Sequence, residues 1–141
     1  MAAHATIITL GVADVGAATS FYEALGFHRS SASEASISFF QAGAIVLAVF
    51  GWGALAEDAQ VPAEGNGFRG VTIAMNLGSP AEVDAEYARW VAAGAMPKKA
   101  PATVEWGGYS SYVADPDGHL WELAHNPYMA LRPDGSAQLA E

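Results

Sequence analysis

Glu122 is the residue of this chain best placed to do chemistry. It stands in "DPDGHLWEL" (115–123), where a tight turn leads into an alternating run. Alternation in a strand puts Glu122 on the same side as Leu120 and Ala124. A carboxylate taken out of water is costly unless something binds it. It can serve as a metal ligand, as a catalytic base, as a hydrogen-bond acceptor for a bound molecule, or as a brace between strands. Four histidines are the other candidates. His119 and His125 each lie an odd number of residues from Glu122, so alternation sends them to the opposite face. His125 sits in "HNP", where the strand is ending and the chain can turn it. His28 follows the stop of the first helix, and His4 lies near the amino terminus. All four read as surface or turn residues, with His4 and His125 the two that could act as non-standard ligands. The spacings HxxxH and HExxH are absent.

The elements that must hold these residues come in two similar halves. "ITLGVAD" alternates, with Ile8, Leu10 and Val12 on one face and Thr9 and Gly11 on the other. Asp14 then caps a helix whose buried face is Ala18, Phe21, Tyr22 and Leu25, with Gly26 as its stop. "ASISFFQAG" and "AIVLAVF" read as a hairpin. The order recurs. "GVTIAMNL" is a strand packed through Ile73, Met75 and Leu77. Ser79, Pro80 and Glu82 open a helix as N-cap, N1 and N3. Its inner stripe is Val83, Tyr87, Trp90 and Val91, and Gly94 ends it. "GGYSSYVA", "DPDG" and "HLWELA" form a second hairpin. Each half is therefore a strand, a helix and a hairpin, with a third strand possible before the hairpin. The repeat is the most informative feature of the chain.

Composition removes several function classes. The chain has 141 residues, enough for one domain with a core. It has no cysteine, which excludes thiolate catalysis, Cys-ligated zinc and disulfides, and fits the cytoplasm. Net charge is −9 with only six Lys and Arg, so a basic nucleic-acid face is not expected. No apolar run is long enough to span a bilayer, and "MAAHATIITL" lacks the basic start of a signal peptide. Lys98–Lys99 reads as a solvated loop, or as a contact for an anion.

"ITLGVADVGAATSFYEALGF" together with "DPDGHLWEL" resembles the vicinal oxygen chelate superfamily, which contains glyoxalase I, extradiol dioxygenases and bleomycin-resistance proteins. The resemblance extends to about Pro127. It implies an α+β fold of two βαβββ modules whose curled sheets form a shared cleft, usually in a homodimer. Metal-using members draw one ligand from the first and one from the last strand of each module. Carried over, those positions fall on Ile7, Leu47, Thr72 and Glu122, Leu47 by aligning Gly43 with Gly118. Ile7 and Leu47 cannot donate, Thr72 is a poor ligand, and a divalent ion needs at least three donors.

The expected molecule is one domain, with module 1 at residues 1–53, a linker at 54–68 that has a helical turn at 54–59, module 2 at 69–127 and a tail at 128–141. Ligand contacts are expected from Thr9, Thr72, Asn76, Trp52, Trp106, Tyr109, Leu120 and Glu122. "WGGY" (106–109) suits a lid that stacks on a flat ligand; its alternative is ordinary edge packing. Tyr112 should also rim the cleft, and Trp121, of opposite parity to Glu122, should pack under a helix. The leading function is a metal-free small-molecule-binding protein that forms a homodimer. The alternative is a lyase or dioxygenase, with Glu122 catalytic and with zinc, nickel, iron, manganese or no metal. The third is a structural homodimer without a ligand. No nucleic-acid or membrane partner is expected.

Overall fold

Ile8, Leu10 and Val12 do form one face of a strand, β1 (Ile7–Val12), and the α1 helix (Val15–Ala24) that follows is capped by the Asp14 carboxylate, which accepts from Ala17 N at 2.9 Å. The computed structural model describes residues 3–139, so the first two and last two residues of the expected domain span lie outside the described residues. The chain divides into two compact units, at Gly67 and Phe68.

In unit 1, β3 (Ile45–Gly51) is central. It runs parallel to β1 and antiparallel to β2 (Ile37–Ala42). Register places Ile8, Leu47 and Phe40 side by side, and likewise Leu10, Val49 and Ser38. This is the face that packs on α1: Tyr22 meets Phe40 at a ring separation of 6.0 Å, and the Thr19 and Ser38 hydroxyls are 2.8 Å apart. Burying Phe40, Leu47 and Val49 removes apolar surface worth about 1.5–3 kcal/mol per side chain.

The other face of this sheet carries Ile7, Thr9, Gly11, Val46, Ala48 and Phe50. Helix α2 (Trp52–Ala59) packs against its Gly11 end. It is a full two turns that begin at Trp52, longer than the single turn expected inside the linker. Position 11 is tight for any side chain, because a Cβ there would stand 3.2 Å from Cε3 of Trp52. The expected cost of Gly11→Ala follows from two opposing effects. Overpacking costs about 1–3 kcal/mol, and the stiffer unfolded chain returns about 0.4–1 kcal/mol. A net loss of about 1 kcal/mol in urea unfolding, with more exposed tryptophan emission, is the expected result; unchanged stability and emission would mean that Trp52 is not seated there.

The third strand of the first module is reduced to two isolated bridges, Arg29 with Phe40 and Glu34 with Ile37. The segment is serine-rich and satisfies its backbone through turns: Ser33 Oγ accepts from Phe39 N at 2.9 Å, and Arg29 Nε reaches the buried Ser38 Oγ at 3.1 Å.

Unit 2 comprises β4 (Thr72–Asn76), α3 (Pro80–Ala92), β5 (Met96–Thr103), β6 (Tyr109–Ala114) and β7 (Leu120–His125), with strand order β4-β7-β6-β5. The Ser79 hydroxyl accepts from Glu82 N at 3.2 Å and starts α3. Val83 and Trp90 are fully buried on the helix's inner side, while Tyr87 and Val91 are only half-buried. Trp90 meets Trp121 of β7 at 5.0 Å between ring centroids, so Trp121 does lie under the helix. Ile73 and Met75 are half-buried. The β6–β7 turn is held from inside by the buried Asp115, which accepts from Asp117 N at 2.9 Å and His119 N at 2.8 Å.

Lys98 and Lys99 lie in β5, not in a loop. Two prolines, two lysines and two register shifts blunt this edge strand against pairing with other chains. A small hairpin, β8 (Ala130–Leu131) and β9 (Ala137–Gln138), follows in the tail. Among the described residues no helix is long and apolar enough to cross a membrane.

Candidate functional site

The unit 2 sheet has one face on α3, formed by Val113, Trp121 and Leu123, and a second face that carries Glu122. Register across β4, β7, β6 and β5 arranges that second face in three rows. They are Thr72–Leu120–Ala114–Met96, then Ala74–Glu122–Tyr112–Lys99, then Asn76–Ala124–Ser110–Ala102. Glu122 thus occupies the middle row of a central strand, half-buried, with small side chains around it. Four expected contacts are gathered here: Thr72, Asn76, Leu120 and Glu122.

Tyr112 is the neighbour that matters most. It pairs directly with Glu122 across β6 and β7, which brings the two Cβ atoms to about 4.5–5.5 Å. Burial first, then the negative charge of Glu122 and a hydrogen bond with it, hold the Tyr112 phenol above its ordinary pKa. The phenol stays neutral beside the carboxylate. Counting outward from the turn would have found the pair, because Ala114 opposite Leu120 puts Tyr112 opposite Glu122.

Of the other expected contacts, Tyr109, Trp52 and Trp106 are engaged in contacts of their own. Tyr109 pairs with His125, so alternation turns it to the α3 face. Its hydroxyl donates to Asp84 Oδ1 at 2.7 Å, and that bond raises its pKa. Tyr109 is a tether between sheet and helix, not a rim residue. Trp52 is committed to packing on Gly11, and its Nε1 donates to Ala63 O at 2.8 Å. Thr9 belongs to unit 1, half-buried and paired with Ala48. Trp106 is 50% exposed, but one face of its ring is folded onto Gly108 so closely that no Cβ could be accommodated there. The expected lid is a turn that packs on itself, braced by Tyr128 against Gly107.

Register also corrects one of the four ligand positions. Ile7 pairs with Val46, as Thr72 pairs with Leu120. The counterpart of Glu122 is therefore Ala48, whereas Leu47 faces α1 and is 1% exposed. The glycine alignment misses by one because the first hairpin turns through Gly43 and Ala44 alone, while the second needs residues 115–119. Ala48 has no donor, nor has Ile7. Among the described residues, no group of three or more His, Cys, Asp and Glu could hold a metal ion. His125 Nδ1 is 2.9 Å from Leu77 O, and His119 Nδ1 is 3.4 Å from Arg69 Nη1. His4 and His28 are exposed. The residues present do not fit a divalent ion at the family's position.

A model of the Glyoxalase/Bleomycin resistance protein/Dioxygenase superfamily matches residues 3–123. A glyoxalase-related enzyme from Fulvimarina pelagi is 34% identical, with a TM-score of 0.86 over 98% of this chain and 99% of that one. A glyoxalase/bleomycin resistance protein/dioxygenase from Nocardioides is 28% identical, at 0.74 over 99% and 91%. Lactoylglutathione lyase from Agrobacterium tumefaciens, 24% identical over 89% and 96%, shares the fold at 0.68. None of the curated proteins matches.

Proposed function

The chain belongs to the glyoxalase/bleomycin resistance protein/dioxygenase superfamily, and on that premise we propose that it binds a small, flat or apolar organic molecule without a divalent metal, using Glu122 as the principal polar contact. The observation that carries this reading is the Glu122–Tyr112 pair, half-buried amid small residues on the sheet face away from α3. A carboxylate there is partly desolvated and strengthens any hydrogen bond that it accepts. The test is a thermal-shift and tryptophan-emission screen against flat aromatic compounds. A saturable shift is expected; complete silence across the panel would favour a structural role.

The donor-poor ligand positions make a second expectation. Protein purified without chelator should hold no stoichiometric zinc, nickel, iron or manganese, and chelator should leave its melting temperature unchanged. Elemental analysis that finds about one ion per chain would overturn the metal-free reading.

One comparison favours an enzyme as the second reading, since the neighbour from Fulvimarina pelagi is described as a glyoxalase-related enzyme. Glu122 would then act as a base beside a carbonyl, with Asn76 the nearest amide donor on that face. Without a metal the developing oxyanion lacks a strong electrophile, so binding alone is the better-supported function.

A homodimer is part of the proposal. The edge strands β1 and β4 carry no proline or lysine. Ile7 and Val71, at or beside their starts, are 51% and 62% exposed. Unguarded apolar edges favour pairing. Light scattering should give twice the chain mass at micromolar concentration; a stable monomer would count against it.

A further inference from the structure

We propose that Asn66, in "GNGF" (65–68), is a site of spontaneous deamidation and isomerisation, a covalent modification of the chain that joins the two units. It is independent of the role of Glu122. The chemistry is internal. The backbone nitrogen of Gly67 gives its proton to a base in solvent and bonds to Cγ of Asn66. The Cγ–Nδ2 bond breaks, ammonia leaves, and a five-membered succinimide remains. Water then adds to one of the two ring carbonyls and breaks its bond to the nitrogen. One opening gives aspartate. The other gives isoaspartate, with the main chain routed through the former side chain. Either product adds one negative charge.

Ring closure needs an available N–H after the asparagine, room around that nitrogen and a main chain able to bend. Asn66 and Gly67 meet all three needs. Both are exposed and outside any helix or strand. Among the described residues, neither the Asn66 side chain nor the Gly67 N–H has a hydrogen-bond partner. Gly67 lies at φ +76° and Gly65 at +135°, and a Cβ built on either would meet no heavy atom within 4 Å. The other two asparagines are protected. Asn76 precedes Leu77, whose N–H is held by Ala124 O at 2.8 Å. Asn126 precedes Pro127, which has no N–H. The two Asp–Gly pairs could close the same ring with loss of water, but their nitrogens are engaged. Gly118 N donates to Asp115 O at 2.9 Å, and Gly135 N donates to Arg132 O at 2.8 Å. Bonds from the Ser136 hydroxyl and N–H also hold the Asp134 carboxyl below its usual pKa, so it stays ionised and resists attack.

The test ages the whole protein at mildly alkaline pH, folded and in guanidinium chloride. Peptide mapping that resolves aspartate from isoaspartate follows each site. In the folded protein the peptide with residue 66 should gain one dalton and split into two products, at a rate close to that of the unfolded chain. Asn76, Asn126, Asp117 and Asp134 should stay unchanged while folded, and unfolding should free Asp117 and Asp134 to isomerise. Gly67→Ala should slow the conversion about tenfold, the factor given by a barrier higher by about 1.4 kcal/mol. Asn66 that survives in the folded protein but converts when unfolded would overturn the proposal. Asn76 or either Asp–Gly pair reacting as fast as Asn66 in the folded protein would overturn its structural basis. Aspartate as the sole product, or Gly67→Ala converting as fast as wild type, would overturn the ring mechanism.

Discussion

Trp90→Ala is expected to cost about 3–5 kcal/mol of stability, the largest effect of any single change considered. Trp90 is fully buried on α3 and meets Trp121 at 5.0 Å with the ring planes tilted by 50°, so truncation removes a large apolar side chain, an aromatic pair and the filling of the space between helix and sheet. The indole also donates to Glu86 Oε2 at 3.2 Å, but Glu86 keeps its bonds from Arg89 at 2.8 and 2.7 Å, so that loss is minor. Domains are stable by about 5–15 kcal/mol, so the variant should be marginal or unfolded at room temperature. Urea unfolding measures it. Trp90→Phe should recover part of the loss, and a loss under about 1 kcal/mol for alanine would show that the helix is not anchored through this ring.

The two helices were legible because each carries its own punctuation. Asp14, Ser79 and Pro80 mark the starts, and the buried spacing Ala18–Phe21–Tyr22 or Val83–Trp90 marks the inner stripe. Such signals act within one turn and do not depend on the rest of the chain. Helix α2 was harder to see. It has no side-chain cap and no fully buried residue, and what holds it is Trp52 on Gly11, a contact across forty residues of sequence. The serine-rich stretch before β2 is a similar case, since its polar side chains satisfy the backbone locally and leave only bridges where a strand was possible.

At the site, parity succeeded where both residues lay on one strand and failed where two strands had to be aligned. Leu120, Glu122 and Ala124 share a face by alternation alone, and Trp121 goes to the helix by the same rule. Leu47 follows from aligning the glycines of the two turns, but the turns differ in length, which slips every side chain to the other face. Tyr109 shows the same limit. Nothing in "WGGY" reveals that the strand begins at Tyr109 with its ring toward Asp84, because that depends on its pairing with His125. Tyr112 is an evident aromatic, but its pairing with Glu122 follows only from the hairpin register.

The most direct test of Glu122 as a ligand contact is titration of wild type and Glu122→Gln with the best compound from the aromatic screen. Glutamine keeps the volume and one acceptor oxygen while removing the charge. If Glu122 only braces the sheet, stability should move by about 1–2 kcal/mol in either direction and affinity should not move. If it meets the ligand, affinity should fall by about 1.5–3 kcal/mol, roughly 10- to 150-fold in Kd. We expect the fall in affinity. Equal affinity for the two proteins would contradict the account and leave Glu122 as a strand brace.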